Sequence, residues 1–147
     1  MTREEFIAIL DEKRYSHEIE RNKIVVIHEG DVYLNALTSL PPGVEFKNGG
    51  GVHLDGLTSL PPGLEFNNGG GVWLNELTSL PSDFEFRNIG DVYLYQVESI
   101  HSSVEFNNEG EVFLASLVGY FDYRKSNIEG INNKRLLNVM IKREMFI

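Results

Sequence analysis

Cysteine is absent from the 147 residues, and no apolar run approaches the length of a membrane span. Without cysteine the chain has no disulfides, thiolate metal sites or cysteine nucleophiles, although it could reside in either redox compartment. A membrane-spanning helix needs about 18 or more apolar residues, so none is expected. The N-terminal segment "MTREEFIAILDEKRYSHEIE" is charged throughout, unlike a secretory signal. We therefore expect a cytoplasmic protein.

Basic residues are scarce in the middle of the chain. Residues 30–119 contain twelve acidic residues against two basic ones, Lys47 and Arg87, which gives this region a net charge of −10. Phosphate binding requires clustered lysine and arginine, so nucleic acid binding by this region is disfavoured. A partner with a basic surface is the natural complement.

The residue patterns that accompany common enzyme chemistry are also missing. The four histidines, His17, His28, His53 and His101, show no metal-ligand spacing. The "HSS" segment at residues 101–103 has no acid or oxyanion hole indicated beside it. The many glycines recur at a fixed interval and do not form a strand-to-helix phosphate loop. We therefore predict no catalytic residue, no metal site and no cofactor.

What the sequence does contain is a 20-residue repeat. Segments that begin at glycine recur without insertion until the fifth decays near residue 118, and they start at Gly30, Gly50, Gly70, Gly90 and Gly110. A fixed period of this size indicates a solenoid. Each coil should need its opening glycine for a positive φ or for a close approach of two backbones. We number these coils one to five.

Two short segments in each coil alternate between apolar and other residues, the pattern of a β-strand. The first is "V-x-L", starting at Val32, and the second is "V-E-F" or its equivalent, starting at Val44. Proline-containing "LPPG" and glycine-containing "NGG" segments separate them as corners. We predict a mainly β fold: a short parallel β-solenoid of 20-residue coils with α-helical N-terminal and C-terminal caps, forming one structural domain.

The two ends are predicted to cover the solenoid. Residues 1–29 contain a T-x-x-E capping box at Thr2 and Glu5 before a helix near residues 3–14, then a possible hairpin and a half coil, "KIVVIHEG". Residues 30–119 hold the five repeats. Residues 120–147 form a C-terminal cap with a helix near residues 131–144. Its apolar stripe is Leu136, Leu137, Met140 and Ile141.

One asparagine per coil lies beside the glycine corner, at Asn48, Asn68, Asn88 and Asn108. A buried amide can satisfy backbone groups that a turn leaves unpaired. We favour this structural role for the column over a role in recognition.

The phrase "LTSLPPGLEF" and its period resemble the short leucine-rich repeats of bacterial proteins that carry a Leu-Pro signature. The resemblance is confined to residues 30–119, and it implies a protein-binding module whose short strand, Val32 to Leu34 and its copies, lines the working face. Here the asparagine column precedes the strand, and "V-E-F" stands where that family has an irregular segment. A curved horseshoe and a flatter two-sheeted solenoid therefore both remain open.

The residues between the inward Val and Leu of the first strand should point outward. They are aromatic or imidazole rings in every coil: Tyr33, His53, Trp73, Tyr93 and Phe113. Acidic and amide residues flank them, together with one further ring: Asp31, Asn35, Asp55, Asn75, Asp91 and Tyr95. Exposed rings with polar neighbours are typical of protein interfaces, but stacked rings also stabilise sheets without any ligand. Both interpretations stand, and variation among the rings favours recognition.

The second strand carries an outward acidic column, Glu45, Glu65, Glu85 and Glu105, with Lys125 at the next step. Like charges at strand spacing repel, so the column needs solvent or cations to compensate it, or it serves to dock a basic partner.

Three functions compete on these observations. The first is a non-catalytic protein-binding solenoid of bacterial or phage origin that occupies a partner's surface. The second is carbohydrate binding by the same rings, since sugars stack on Tyr and Trp. The third, least favoured, is a polysaccharide-cleaving enzyme that uses carboxylates such as Asp31, Asp55 and Asp91.

Overall fold

The computed structural model of the protein describes residues 1–101 and 103–114, and it confirms a mainly β chain that coils as a parallel β-solenoid. In this described part of the chain, one helix, α1 (Arg3–Glu12), precedes eleven short strands. The strands are β1 (His17–Glu20), β2 (Lys23–Val26), β3 (Val32–Tyr33), β4 (Val44–Phe46), β5 (Val52–His53), β6 (Glu65–Phe66), β7 (Val72–Trp73), β8 (Glu85–Phe86), β9 (Val92–Leu94), β10 (Glu105–Phe106) and β11 (Val112–Leu114).

The strands form two sheets, and each complete coil contributes one strand to each sheet. Sheet A has the order β1-β2-β4-β6-β8-β10, and sheet B has the order β3-β5-β7-β9-β11. Pairs between coils are parallel and lie 20 residues apart, as in Val52 with Val72. The "V-E-F" segments therefore build a sheet of their own. Of the two arrangements left open by the sequence, the chain adopts the two-sheeted one.

The core lies between the two sheets and consists of the predicted columns. Val32 and Leu34 and their copies through coil five are buried. On the opposite side the phenylalanines of sheet A stack inside the solenoid with ring centroids 5.7, 5.8 and 5.3 Å apart along Phe46, Phe66, Phe86 and Phe106. Each coil thus packs side chains from corresponding positions against those of its neighbours.

The asparagine column forms a buried ladder at the glycine corner. The Nδ2 group of Asn48 lies 3.1 Å from the carbonyl oxygens of Gly30, Gly50 and Gly51, so one amide links two coils. Asn68, Asn88 and Asn108 repeat the arrangement. These contacts support the structural role.

Close approach, rather than positive φ, explains the glycines that open the coils. A Cβ atom at Gly70 would lie 2.6 Å from the carbonyl carbon of Gly50, and one at Gly90 would lie 2.6 Å from that of Gly70. Positive φ occurs elsewhere among the described glycines, at Gly43 and Gly63 in the proline corners. Gly30 opens the first coil and has no such close neighbour.

The N-terminal cap follows the sequence pattern. The Thr2 hydroxyl accepts a hydrogen bond from the Glu5 backbone N–H at 3.1 Å, and the helix buries Phe6 and Leu10. Helix α1 ends at Glu12, before Arg14 with its φ of 59°. Strands β1 and β2 form the expected antiparallel hairpin, and β2 pairs with β4 as a half coil.

A tyrosine from the cap covers the N-terminal edge of sheet B. The backbone N–H of Tyr33, in the first strand of that sheet, donates to the Tyr15 hydroxyl at 3.0 Å. Residues 115–147, which include the end of coil five, Lys125 and the expected C-terminal helix, lie outside the described residues. Within the described ranges, no helix has the length and apolar character needed to cross a bilayer.

Candidate interaction surface

The five outward rings of sheet B form one continuous stack, which we call the ring ladder: Tyr33, His53, Trp73, Tyr93 and Phe113. Successive centroids are 4.4, 4.1, 4.8 and 5.0 Å apart, and the planes differ by 9° to 19°. The faces of the inner rings are therefore turned toward neighbouring coils. Their edges form the surface that faces away from the sheet.

Stacking makes the ring ladder less exposed than the sequence suggests. Tyr33, the end ring, is 52% exposed, whereas the His53 side chain between two rings is 17% exposed. Trp73, Tyr93 and Phe113 are also partly buried. The rings point outward as predicted, but the expectation that every ring is exposed needs correction, because each inner ring covers the faces of its two neighbours.

The large ring of Trp73 fits only because two glycines lie beside it. A Cβ atom at Gly51 would lie 2.6 Å from Cζ3 of the indole, and one at Gly71 would lie 2.9 Å from Cη2. Since the indole is held between His53 and Tyr93, it has little freedom to move aside. Coils two and three therefore carry glycine where coils one and four carry aspartate.

The aspartates of coils one and four bind the tyrosines of their own coils. The Tyr33 hydroxyl donates to Asp31 Oδ2 at 3.1 Å, and the Tyr93 hydroxyl donates to Asp91 Oδ2 at 3.3 Å. The bond from Tyr33 favours its protonated phenol and raises the pKa of that tyrosine. Pairing of aspartate with tyrosine, and of glycine with tryptophan or histidine, accounts for much of the variation along the ring ladder.

Most of the flanking polar side chains also bind the backbone of the next coil. The oxygen of Asn35 accepts from the Asp55 N–H at 2.9 Å, that of Asp55 accepts from the Asn75 N–H at 2.9 Å, and that of Asn75 accepts from the Tyr95 N–H at 3.4 Å. These oxygens were predicted to face a partner. In the structure each oxygen instead accepts a backbone hydrogen bond that links two stacked coils.

Asp31 and Asp91 have the same role on the other side of the rings. The N–H of Gly51 donates to Asp31 Oδ1 at 2.6 Å, and the N–H of Glu111 donates to Asp91 Oδ1 at 2.8 Å. The Gly51 bond is the main cause that lowers the pKa of the Asp31 carboxyl, and burial opposes it. Asp31 is consequently ionised at neutral pH.

The glutamate column lies on sheet A, away from the ring ladder, and cations neutralise part of it. Lys23 Nζ lies 2.7 Å from Glu65 Oε2 and 3.3 Å from Glu45 Oε1, while Arg87 Nε lies 2.7 Å from Glu85 Oε1. Glu45 is buried, which raises its pKa, but hydrogen bonds from Lys23 and Asn67 outweigh burial and lower it.

A donor two residues after each glutamate explains why this acidic column is tolerated. Lys47 Nζ lies 3.5 Å from Glu45, and Asn107 donates to both Glu85 and Glu105 at 2.7 and 3.2 Å. The full set of donors is Lys47, Asn67, Arg87 and Asn107. Its alternation of cation and amide was present in the sequence but was missed as a compensating pattern.

Three histidines lie near a carboxylate or a hydroxyl group, and one of them, His53, has its Nε2 atom 3.9 Å from Asp31 Oδ2. His101 Nδ1 lies 2.7 Å from Ser103 Oγ, but that oxygen also accepts the Asp83 backbone N–H at 2.7 Å. The pair therefore forms a turn that links two coils. His17 Nε2 lies 3.6 Å from Asp11 Oδ1. Within the described residues, no group of three or more His, Asp or Glu side chains is placed to hold a metal ion.

A groove that the sequence did not predict lies at the proline corners of coils two and three. It has a volume of about 520 Å³, and Leu60, Pro61, Pro62, Pro81 and Phe84 supply its apolar walls. Glu65, Glu85 and Arg87 lie at its sheet A side. The ring ladder belongs to the other sheet, so the groove and the ring ladder are separate surfaces.

Comparisons with known proteins give no family for this chain. No family model matches it, and no curated protein or solved structure gives a significant match. The resemblance to leucine-rich repeats therefore rests on the sequence pattern alone.

Proposed function

We propose that this protein is a non-catalytic binding module that occupies the surface of a protein partner through its ring ladder. The observation that carries the proposal is the face-to-face stack of five rings, which presents a continuous row of ring edges from coil one to coil five. Rigid rings add contact area at little entropic cost and are enriched at protein interfaces.

The charge around the ring ladder favours a basic partner. Asp31 and Asp91 lie beside Tyr33 and Tyr93 and give the row of rings an acidic border. The surrounding residues 30–119 carry a net charge of −10. A positive surface opposite this region would accelerate association and disfavour competing acidic partners.

Carbohydrate binding has less support from the same geometry. A sugar stacks on the face of a ring, whereas the inner rings of the ladder turn both faces to their neighbours. Tyr33, at the end of the stack, offers the most open face. One accessible face gives a weaker basis for sugar recognition than a row of edges gives for a protein contact.

Polysaccharide cleavage has less support again. Asp31, Asp55 and Asp91 each use an oxygen to accept a backbone N–H of the following coil. A glycosidase requires a general acid with a raised pKa, and the pKa of Asp31 is lowered. The carboxylates of this face are therefore better suited to stabilising the solenoid.

Binding should be tested by capture from a lysate of the source organism, followed by purification of the captured protein and measurement of its affinity. Replacing Trp73 and Tyr93 by alanine should weaken that affinity by at least about 2 kcal/mol, or roughly thirtyfold. Each lost ring pair also costs about 0.5–1.5 kcal/mol of stability, so melting must show that the variant is folded in the assay.

Two further variants separate recognition from stability. Trp73→Phe retains a stacked ring but shortens the outer edge, so binding should weaken with a smaller change in melting temperature. Glu65→Gln with Glu85→Gln alters sheet A and should leave affinity close to wild type. If the glutamate variant abolishes binding while the alanine variant binds normally, the proposed face is wrong.

A further inference from the structure

The groove at the proline corners marks a break in an otherwise regular stack. Sheet A pairs Glu45 with Glu65 and Glu85 with Glu105, but β6 and β8 pair only at Phe66 and Phe86. The two strands therefore meet one residue later than their neighbours do. The corner preceding them is left open on the outer surface.

The corners on either side of this break are each fixed to a different neighbour. The Gly43 N–H of coil one donates to the Pro62 carbonyl of coil two at 3.1 Å. The Asp83 N–H of coil three donates to Ser103 Oγ of coil four at 2.7 Å, so the coil two corner is bound to coil one and the coil three corner to coil four. A Cβ atom at Gly63 would have only Gly43 atoms within 4 Å among the described residues. Coils two and three consequently part at their proline corners.

The coil three corner also departs from the repeat in sequence, although it keeps the left-handed backbone of the other two corners. "PSDF" replaces "PPGL", and Asp83 has a φ of 64° where Gly43 and Gly63 have 76°. Left-handed backbone costs a non-glycine residue energy and is concentrated at functional sites. Phe84 turns its ring against Phe66 and Phe86, at centroid distances of 6.1 and 4.9 Å, and forms one wall.

Charge at the groove is unbalanced toward the acidic side. Glu65 binds Lys23, and Glu85 binds Arg87. The Asp83 side chain is exposed at the groove wall and makes no ion pair or hydrogen bond with the described residues. An apolar channel bordered by an unpaired carboxylate is complementary to a cationic side chain whose aliphatic stem packs against proline and phenylalanine.

We propose that this groove binds an extended peptide segment that carries a lysine or arginine next to an apolar residue. The apolar side chain would lie between the walls of Pro62 and Phe84, and the cation would reach Asp83. A volume of about 520 Å³ lies within the range of about 300–1,000 Å³ common to small-ligand sites. This site is independent of the ring ladder.

The test uses the full chain, uniformly labelled with ¹⁵N, and two capped peptides that differ at one position: acetyl-Ala-Leu-Lys-Ala-amide and acetyl-Ala-Leu-Gln-Ala-amide. The lysine peptide at millimolar concentration should shift the amide resonances of Leu60, Ser82, Asp83 and Phe84 in a saturable manner. The glutamine peptide should bind the same residues more weakly. Shifts confined to other surfaces, or equal affinity of the two peptides, would overturn the proposal.

Matched variants locate the charge. Asp83→Asn removes the carboxylate but keeps a residue type that tolerates left-handed backbone. It should lower the affinity for the lysine peptide about two- to fivefold, the effect expected of one exposed ion pair. Glu76→Gln removes an exposed charge from the same coil outside the groove and should have no comparable effect. Ser82→Trp should block the groove. If Asp83→Asn and Ser82→Trp both bind the lysine peptide with wild-type affinity, the proposal is also overturned. These measurements do not depend on whether Trp73 and Tyr93 bind a partner.

Discussion

Trp73 illustrates how single residues in this repeat depend on one another. Its indole occupies space that a side chain at Gly51 or Gly71 would fill, and the neighbouring rings hold it in place. The sequence shows this dependence as "DVY" in coils one and four against "GVH" and "GVW" in coils two and three. The pattern was visible, but only the stacked geometry explains it.

Gly51→Ala tests that dependence. The added methyl group meets the indole, so we expect a loss of about 1–3 kcal/mol in the free energy of unfolding, as for other overpacked sites. In a Trp73→Phe background Gly51→Ala should cost less stability. Coils four and five already combine a larger residue with phenylalanine at these two positions, since Asp91 stands at the position of Gly51 and Phe113 at that of Trp73. Urea denaturation of the four proteins gives the coupling energy. Equal costs in both backgrounds would show that the indole does not impose the glycine.

Asp31 should give the solenoid a specific sensitivity to acid. The Gly51 N–H lowers the pKa of this carboxyl below its ordinary value of 3.8. A group with a lowered folded-state pKa stabilises the protein above its unfolded-state pKa, and this stability is lost as pH falls through the folded-state pKa. Melting temperature should therefore fall less steeply below pH 3.8 in Asp31→Asn than in the wild type. Parallel curves for the two proteins would contradict this assignment.

At the scale of elements, Lys23 connects the N-terminal half coil to the first two coils of sheet A. It lies in β2 and contacts glutamates of both β4 and β6. Because Glu45 is buried, Lys23→Met leaves a carboxylate with weaker compensation, and we expect a lower free energy of unfolding than in the wild type. Lys47→Met removes a more distant partner of the same glutamate and should cost less than about 1 kcal/mol. Chemical denaturation that ranks the two variants in the opposite order would refute this account.

The strands, their register and the core columns could be predicted because a parallel solenoid repeats the same contacts every 20 residues. Val32 and Phe46 each identify a whole column by their copies. The groove could not be predicted in this way, since "PSDF" shows only that one corner differs. How far coils two and three part depends on the fit of Phe84 and on the Asp83 bond to Ser103. The partial burial of the rings likewise depends on their stacking distance.

At the scale of the whole molecule, the coils share a backbone but are not interchangeable. Removing residues 50–69 would bring Asp31 beside Trp73, into the place that Gly51 occupies. Removing residues 70–89 would instead remove Trp73 and stack Tyr93 on His53, leaving no aspartate beside an indole. Both deletions keep the 20-residue register, so both chains should fold.

The two deletions should differ in stability. We expect the variant without residues 50–69 to unfold at a lower urea concentration than the variant without residues 70–89, since only the former contains the aspartate–indole clash. Circular dichroism should show β structure in both. A more stable protein after removal of residues 50–69 would mean that steric fit within the ring ladder does not control how the coils combine.

The hydroxyl of Tyr15 has a consequence for how the molecule behaves in a crowded solution. A stack of identical coils has no intrinsic end, and its first strand offers backbone donors and acceptors to any similar strand. In sheet B one such donor, the Tyr33 N–H, already donates to the Tyr15 hydroxyl, which is a side-chain group and cannot continue the sheet. One phenol group therefore occupies a backbone donor through which another strand could have paired, which protects part of the first edge of a repeating architecture.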